Sequence, residues 1–500
     1  MNPLLLPAFP LTSALLVYLF GTLKWEGSIR ARFRFPLLLE IKFLFAIGSL
    51  TPLIILPFVN ERVIVGNYPQ PIGIEVGIWE LNWPLLLAEV VVFGAAALYA
   101  LRRVNDWKEL SLFLIMHGGL LGAFISLDLF NFYIFMELAS VASFALIALS
   151  PEKGARKAAF KYLMLSIVAS YLFIFSLGVI YAETGYLNAE LIREVAKPSK
   201  TLLAALSVAL ASLLLKAGIF PLHVWLPDTH SKAKTHVSAV LSGLAVKAPI
   251  YGMLLLQYSL GIPEALLLAL RLIAIASMIF GVVMALFQTD VKRLLAYHTV
   301  SQMGYVLLGI ALNLPGAVAL YALAHAIFKG GLFLSLGALA DARRSKELSR
   351  LGARGEPVLL TAVLLLSLAI AGFGPSIGGV VKGILAVGTL EKLAIYGVSV
   401  GTAASFTKVN YYLRSGYGHG PGPIDTVPGL VLALLALILG VLLGGNVSPT
   451  DALLVLGLIV FLALKLFGMP RREMVLDIDV GEGVALLSLL TTALIVLSAP

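Results

Sequence analysis

The feature that most constrains this chain is a series of apolar stretches of about 17 to 25 residues, which recurs along its whole length with short charged loops between the stretches. A helix of that length and composition spans the hydrocarbon core of a bilayer. The 500 residues are 60% hydrophobic and only 13% charged, which leaves too few charged side chains to cover a soluble globule of this size. The sequence therefore predicts an all-α polytopic membrane protein and excludes a soluble enzyme.

The apolar stretches predict 16 membrane spans, within an expected range of 14 to 16. No small-residue cleavage site follows the first stretch, so we expect it to remain as a span rather than to act as a cleaved signal. The expected spans are 3–20, 36–58, 82–101, 110–127, 129–149, 160–182, 202–227, 237–258, 264–288, 295–312, 317–340, 357–388, 394–413, 428–444, 451–468 and 483–499.

Lys and Arg are distributed unevenly between successive loops. Of the 36 in the chain, 23 lie in loops after odd-numbered spans, counting Lys161 at the very start of the sixth span, and 5 in loops after even-numbered spans. Because cytoplasmic loops carry the excess of basic residues, the odd loops are predicted to be cytoplasmic and both termini external, in a cell membrane. The net charge of +9 is then explained by topology, and no nucleic acid partner is expected.

Apart from Lys161 at the edge of the sixth span, eight Lys and Arg residues fall inside the predicted spans, where a charge is costly and usually faces a bundle interior or a hydrated path. Lys42, Arg271 and Lys465 lie close enough to a span end for their charged groups to reach the interface. The other five have apolar runs on both sides and are candidates for an ion path: Lys216, Lys247, Lys329, Lys382 and Lys408.

Acidic and histidine residues add to this set. Glu137 lies mid-span with no Lys or Arg in its own helix, so its carboxylate needs a partner from another helix. His325 is followed one helical turn later by Lys329 on the same face, which favours a role beside that lysine. His117 is interpreted as a hydrogen-bonded packing residue, and Glu89 as a residue close enough to an interface to be solvated.

Two windows interrupt a helix beside a lysine and a proline: LLLKAGIFPLHVWLPDTH at Lys216 and AGFGPSIGGVVKGIL at Lys382. The step from Lys216 to Lys382 nearly equals the step from Lys247 to Lys408. Spans four to eight and nine to thirteen are therefore predicted to be two five-helix repeats, and because five is odd the second is inverted. The predicted units are 1–101 with the first three helices, 102–259 with the first repeat, 260–415 with the inverted repeat and 416–500 with the last three helices.

Four ordered motifs, spread over roughly residues 60 to 415, carry a family resemblance. They are DLFNFYIFMELASVASF around Glu137, KAGIFPLHVWLPDTHSKAKTHVSAVLSGLAVK from Lys216 to Lys247, QTDVKRLLAYHTVSQMGY from Gln288 and HAIFKGGLF from His325. They resemble the antiporter-like subunits shared by Mrp-type cation/proton antiporters, the proton-pumping arm of respiratory complex I and membrane-bound hydrogenases. The chain is similar to the D-type subunit of Mrp antiporters and to the antiporter-like H-type subunit of archaeal membrane-bound hydrogenase or sulfane sulfur reductase complexes.

The resemblance implies a fourteen-helix core with a chain of protonatable residues across the membrane middle, which two further spans extend. The lack of a long amphipathic tail helix favours a middle-arm or Mrp D-like subunit over the largest pump subunit of complex I. The residues that the resemblance places on the proton-translocation axis are Glu137, Lys216, Lys247, His325, Lys329, Lys382 and Lys408.

Burial disfavours the charged form of a lysine, whereas a nearby carboxylate reverses that effect. We therefore hypothesise that Glu137, when it approaches Lys216, holds a proton on that lysine. Separation of the two would release the proton along Lys247 and His325 toward Lys382. The transported ion is expected to be H⁺, either alone or in exchange for Na⁺.

Two other function classes stay open: a stand-alone transporter of organic solutes and a non-conducting structural membrane subunit. No phosphate-binding, metal-ligand or nucleophile motif is present in the loops, so neither a catalytic site nor a cofactor is expected in this chain. It has no Cys, so Fe–S clusters, and Ni–Fe in a hydrogenase relative, are expected in partner subunits. Expected partners are antiporter-like and small Mrp-type membrane subunits, joined by the redox arm of a NADH dehydrogenase-like, hydrogenase or sulfur reductase complex, or without it in an Mrp antiporter.

Overall fold

The computed structural model describes residues 1–25, 37–66, 68–69, 72–416, 420–467 and 473–498. Five basic residues that contribute to the predicted topology lie outside these ranges: Arg30, Arg32, Arg34, Arg471 and Arg472.

Helices account for nearly all the regular structure of the described residues. In chain order they are α1 (Leu5–Trp25), α2 (Leu37–Ile55), α3 (Trp83–Arg103), α4 (Trp107–Ile125), α5 (Leu129–Ala148), α6 (Ala155–Thr184), α7 (Ala189–Val195), α8 (Lys200–Lys216), α9 (Leu226–Lys232), α10 (Thr235–Gly243), α11 (Ala248–Leu260), α12 (Glu264–Leu286), α13 (Val291–Ala311), α14 (Pro315–Arg343), α15 (Pro357–Ala371), α16 (Ile377–Leu385), α17 (Thr389–Arg414), α18 (Pro423–Leu442), α19 (Ala452–Leu466) and α20 (Val480–Ser498).

A two-stranded antiparallel hairpin lies between α2 and α3. Its strands are β1 (Arg62–Val65) and β2 (Ile74–Gly77). The side chain of Asn188 donates to Glu75 at 2.8 Å, and Arg62 donates to Glu190 at 2.6 Å. These contacts fasten the hairpin to the start of α7.

The prediction of an all-α polytopic membrane protein is confirmed. Within the described residues, 13 helices are long and apolar enough to cross a membrane. The three other predicted spans correspond to α8–α9, α15–α16 and α17. The first two are split by a break in the chain, and α17 carries four charged residues, Glu391, Lys392, Lys408 and Arg414.

Both predicted helix breaks are present. α8 ends at Lys216 and α9 begins at Leu226, whereas α15 ends at Ala371 and α16 begins at Ile377. A third break, which the sequence interpretation does not contain, separates α10 from α11 at a 3₁₀ turn, Ala245–Lys247. Its sequence signal is Pro249, which lies in the first turn of α11, where a proline can start a helix but not continue one.

The centre of the bundle is formed by helices that neighbours cover on all sides. Every residue of α13 from Leu294 to Ala311 is buried, as is every residue of α14 from Tyr321 to Ala340. Such helices are normally apolar all round. These two nevertheless carry His298, His325 and Lys329 at the buried positions, so these polar groups lie inside the bundle rather than toward lipid.

Candidate functional site

Lys216 and Glu137 form an ion pair inside the bundle. The Lys216 Nζ lies 2.8 Å from Glu137 Oε1 and donates to the Ser166 hydroxyl, also at 2.8 Å. The Ser170 hydroxyl donates to the same carboxylate oxygen at 2.8 Å. The lysine is 5% exposed, so its charge depends on the carboxylate and the two serines of α6.

The break after α8 brings Lys216 to this position as the last helical residue. Gly218 adopts a positive φ of 65°, a conformation that glycine tolerates best. The indole of Trp225 donates to the carbonyl of Leu215 at 2.9 Å, and the amide of Phe220 donates to the hydroxyl of Ser277 at 3.2 Å. Two of the backbone groups at the interruption thus find partners inside the protein, as a break within a membrane requires.

Lys247 lies at the third break, between α10 and α11. Its Nζ donates to the carbonyl of Ser242 at 2.5 Å, close to the C-terminal end of α10, where the helix dipole favours a cation. A cavity of about 10 Å³, enough for about one water molecule, lies between this break and Lys216. Tyr162, Ala245 and Ala248 line it. Lys216 and the break that carries Lys247 therefore border a common small space.

His325 and Lys329 are fully buried one turn apart on α14. The Lys329 Nζ donates to the carbonyl of Leu295 on α13 and lies 5.0 Å from the ring centre of Phe333. Among the described residues, neither ring nitrogen of His325 has a hydrogen-bond partner. His325 lies close enough to Lys247 and Lys329 to interact electrostatically with both.

Lys382 and Lys408 both bind the carbonyl end of a helix. Lys382 donates to Ile370 at 2.9 Å and Ala371 at 3.1 Å, at the end of α15, and to the hydroxyl of Ser399 at 3.2 Å. Lys408 donates to the carbonyls of Leu286 and Gln288, each at 2.8 Å, at the end of α12. No carboxylate in the described residues forms an ion pair with either lysine.

Two histidines near the axis were missed by the sequence interpretation. His298 is fully buried, its Nε2 lies 2.9 Å from the Ser405 hydroxyl, and it interacts electrostatically with Lys329, Lys382 and Lys408. His230 stacks on Phe333 with ring centres 4.9 Å apart. The signal available was a histidine within the quoted motifs, AYHTV and PDTH.

Two expectations are corrected by the structure, and one residue gains a partner. Glu89 is fully buried rather than solvated, and its carboxylate lies 2.8 Å from the ring of His117. Arg271 pairs with the buried Glu391, a partner on α17 that the sequence interpretation does not contain. Lys292, which precedes a span expected to begin at 295, is a buried residue of α13 because that helix begins at Val291.

A family model described as NADH:quinone oxidoreductase/Mrp antiporter, TM matches residues 126–407, which include both the Glu137–Lys216 pair and Lys382. The chain belongs to this family. Among its relatives, the N subunit of the NADH-quinone oxidoreductase of Desulforudis audaxviator is 34% identical over 374 residues, 71% of this chain and 74% of the relative. The D subunit of the Na(+)/H(+) antiporter of Bacillus subtilis is 30% identical over 339 residues, 64% and 68% of the two chains.

The fold is shared with chains of multisubunit membrane complexes. One chain of the Mrp complex from Dietzia sp. has a TM-score of 0.77 at 22% identity, covering 92% of this chain and 97% of the other. One chain of the membrane-bound sulfane sulfur reductase, an archaeal respiratory membrane complex, has a TM-score of 0.77 at 23% identity, covering 97% and 99%. The family fold thus extends over nearly the whole of this chain.

Proposed function

We propose that this chain is an ion-translocating, antiporter-like membrane subunit that moves H⁺ along a buried axis. The observation that carries the proposal is the Glu137–Lys216 ion pair, 2.8 Å long, at the end of an interrupted helix. Broken helices in transporters mark the site where an ion is handled, and an intramembrane ionisable pair is functional by default. The relatives named as Na(+)/H(+) antiporter and NADH-quinone oxidoreductase subunits support the same function.

The pair acts as the loading site of the axis. While Glu137 lies against Lys216, the carboxylate stabilises the ammonium and the proton stays on the lysine. Separation of the two leaves a buried ammonium without its counter-ion, which favours release of the proton. The small space next to Lys216 borders the break that carries Lys247, which supports the second lysine as the next acceptor.

The second half of the axis carries the proton onward through groups that have no carboxylate as an ion-pair partner in the described part of the chain. His325 interacts electrostatically with Lys247 and Lys329, and His298 interacts with Lys329 and with the final pair, Lys382 and Lys408. Because like charges repel in a dry interior, a proton added at one position disfavours a proton at the next. Repulsion of this kind gives the axis a way to pass one charge forward at a time.

The transported ion is proposed to be H⁺, alone or in exchange for Na⁺. Na⁺ binding is suggested by the names of the antiporter relatives. Within the described residues, no group of three or more His, Cys, Asp or Glu side chains is arranged to hold a metal ion. The proton axis is therefore the part of the proposal that the residues support, and Na⁺ rests on the relatives.

The topology and the units of the chain are part of the same proposal. Odd-numbered loops are assigned to the cytoplasm and both termini to the outside, on the basis of the basic residues. Residues 102–259 and 260–415 are assigned to inverted repeats. The helix breaks after Lys216 and Ala371, one in each unit, support that division.

The partners are proposed to be other membrane subunits and a redox arm that holds Fe–S clusters. Purification of the native complex in mild detergent, with mass spectrometry of every subunit and elemental analysis, tests this. Iron with nickel would indicate a hydrogenase-type complex, and iron alone a sulfur reductase or complex I relative. Small membrane partners without iron would contradict the redox arm and indicate an Mrp-type antiporter.

Proton transport into sealed vesicles, followed with a pH-sensitive dye, tests the axis. Glu137→Gln and Lys216→Ala are expected to lower the initial rate on the order of a hundredfold, the range typical of a lost proton-transfer group. Lys465→Ala is the matched control, because this lysine is exposed and its hydrogen bond and ring contact in the described residues are both with Tyr411. Full transport in both axis variants would contradict the proposal and leave the non-conducting structural subunit.

A further inference from the structure

A second buried carboxylate lies away from the axis, on α3. Glu89 and its partner His117 on α4 are both 0% exposed, and Nδ1 of the imidazole lies 2.8 Å from Oε1 of the carboxylate. The other carboxylate oxygen, Oε2, has no hydrogen-bond partner among the described residues. The ring of Phe93 stacks on the imidazole at 3.8 Å with an interplanar angle of 6°. The pair is thus fully buried beside an aromatic ring, with spare capacity to bind a proton.

The pair lies well inside the membrane-spanning helices. Glu89 is about two turns from the start of α3, and His117 is nearly three turns from the start of α4. The two helices are antiparallel neighbours joined by a short turn, so Glu89 and His117 lie side by side at a similar depth in the bundle. Neither group is placed to reach an aqueous interface by extending its side chain.

Burial of such a pair costs free energy, so its presence needs an explanation. Removing a carboxylate and an imidazole from water costs several kcal/mol per charged group, and apolar residues of similar volume are often as stable or more stable. Within a membrane, ionisable residues therefore tend to be functional. Within the described residues, no charged group other than these two forms an ion pair or a hydrogen bond with either of them. A structural salt-bridge network does not explain their presence.

We propose that Glu89 and His117 together bind and release one proton within the membrane, at a site separate from the Glu137–Lys216 pair. On loading, a proton from water binds the carboxyl–imidazole pair, and on release the same proton returns to water, so one positive charge appears and disappears at this site. The unpartnered Oε2 of Glu89 accepts the proton without loss of the existing 2.8 Å contact.

The site is packed against the helices that carry the axis. Gly119, two residues after His117, lies so close to Ala139 of α5 that a Cβ at this position would collide with the backbone of that helix. Val92, three residues after Glu89, contacts Gly243 of α10 and Gly330 of α14. Gly330 directly follows Lys329. A change of charge at the Glu89–His117 pair therefore occurs one helix away from the lysines of the proposed axis. In the described residues, the one carboxylate that forms an ion pair with any of these lysines is Glu137.

Several other titratable groups lie on elements packed against α3 and α4. In a spectroscopic test, the signals of Glu89 and His117 must be separated from the signals of these groups. None of these groups bonds to Glu89 or His117 in the described residues. They are Tyr18 on α1, Glu40 and Lys42 on α2, Tyr133 and Glu137 on α5, His236 on α10, Tyr251 and Tyr258 on α11, Tyr321, His325, Lys329, Asp341 and Arg343 on α14, and Asp425 on α18, with Tyr99, Arg102, Arg103, Lys108 and Glu109 on α3 and α4 themselves.

Infrared difference spectroscopy of the native complex in vesicles, perfused with buffers of different pH, tests the proposal. The wild type is expected to contain a protonated-carboxyl band and an imidazole band that change together with pH. Glu89→Gln should remove the carboxyl band and alter the imidazole band, and His117→Gln should shift the carboxyl band. Glu137→Gln is the matched control, since it should leave both features in place even if transport is lost.

Two results would overturn the site. The first is a pH difference spectrum that is the same in Glu89→Gln and wild type, because the pair would then not change its protonation. The second is a Glu89-dependent band that does not respond to pH at any value at which the complex stays folded, because the proton would then be fixed and its role structural.

Misfolding of a variant is recognised separately. Glu89→Gln and His117→Gln preserve side-chain size or hydrogen bonding. The midpoint of thermal unfolding identifies a variant that is nevertheless misfolded. A variant with a lowered midpoint is replaced by the double variant Glu89→Gln, His117→Gln, which removes the pair without leaving either group alone. The pH difference spectra of the wild type and of this double variant are then compared by the same two criteria.

Discussion

The Nζ of Lys408 lies 2.8 Å from the carbonyl of Gln288, in the turn between α12 and α13. The amides of the next two residues of this turn, Thr289 and Asp290, donate to the carboxylate of Glu473 at 3.1 and 2.7 Å. One short turn therefore joins a lysine of the proposed axis to the segment before α20.

Glu473 is predicted to stabilise the fold mainly above acidic pH. Burial raises the pKa of this carboxyl. The hydrogen bonds from Thr289 and Asp290 and the charge of Arg293 together lower it by more than burial raises it, so its pKa lies below the ordinary value of 4.5. A depressed folded-state pKa contributes stability that is fully present above the unfolded value and is lost as the pH falls through the folded one. Glu473→Gln should therefore cost about 1 to 2 kcal/mol near neutral pH and less in acid.

The midpoint of thermal unfolding, measured across acidic and neutral pH, checks this expectation. Asp477→Asn is the matched control because its exposed side chain lies in the same segment and forms no hydrogen bond in the described residues. An equal loss in both variants, or a loss in Glu473→Gln that grows on acidification, would contradict it.

The Glu137–Lys216 pair should behave as a coupled unit in stability. Lys216→Met leaves a carboxylate without its counter-ion, and Glu137→Gln leaves a buried ammonium with only neutral acceptors, the amide oxygen and the Ser166 hydroxyl, in place of the carboxylate. The double variant removes both charges. We expect it to be less destabilised than the sum of the single variants, by about 0.5 to 3 kcal/mol. Thermal unfolding of the wild type, the two single variants and the double variant completes this double-mutant cycle. Additive losses of stability would mean that the two groups do not interact.

His298 is predicted to connect the two halves of the axis. His298→Gln keeps a hydrogen-bonding group for Ser405 but cannot carry a proton, so proton transport should fall on the order of a hundredfold while thermal stability changes little. His298→Ala should reduce transport as strongly and also lower stability. Transport at the wild-type rate in the glutamine variant would remove His298 from the path.

Local signals explain why much of the fold was predictable. The breaks after Lys216 and before Lys382 lie next to prolines and glycines in otherwise apolar runs, and a buried lysine there is costly enough to stand out. The need of Glu137 for a partner also followed from its own helix, which offers no cation. In each case a single segment of sequence held the information.

Pairs between helices were not predictable in the same way. Glu89 and His117 meet because α3 and α4 are rotated so that these two faces touch, and no sequence pattern specifies that rotation. The same applies to Arg271 and Glu391, which lie on α12 and α17. His298 was hidden because its importance depends on lysines of three other segments.

Gly440 is predicted to be required by the break between α15 and α16. A Cβ at this position of α18 would collide with the backbone of Pro375, Ser376 and Ile377, which lie at the end of the interruption and the start of α16. Backbone atoms cannot move aside as a flexible side chain can, so Gly440→Ala should destabilise the protein by about 1 to 3 kcal/mol.

The same variant should lower proton transport, because the segment that Gly440 contacts leads into the helix of Lys382, whose Nζ binds the carbonyls of Ile370 and Ala371. Gly397→Ala in α17 is the matched control. A Cβ there meets no atom within 4 Å, so the higher helix propensity of alanine should leave the protein as stable or about 0.5 to 1 kcal/mol more stable. Thermal unfolding and vesicle transport of the two variants distinguish the effects, and a Gly440→Ala protein as stable as Gly397→Ala would mean that α18 does not hold the break in place.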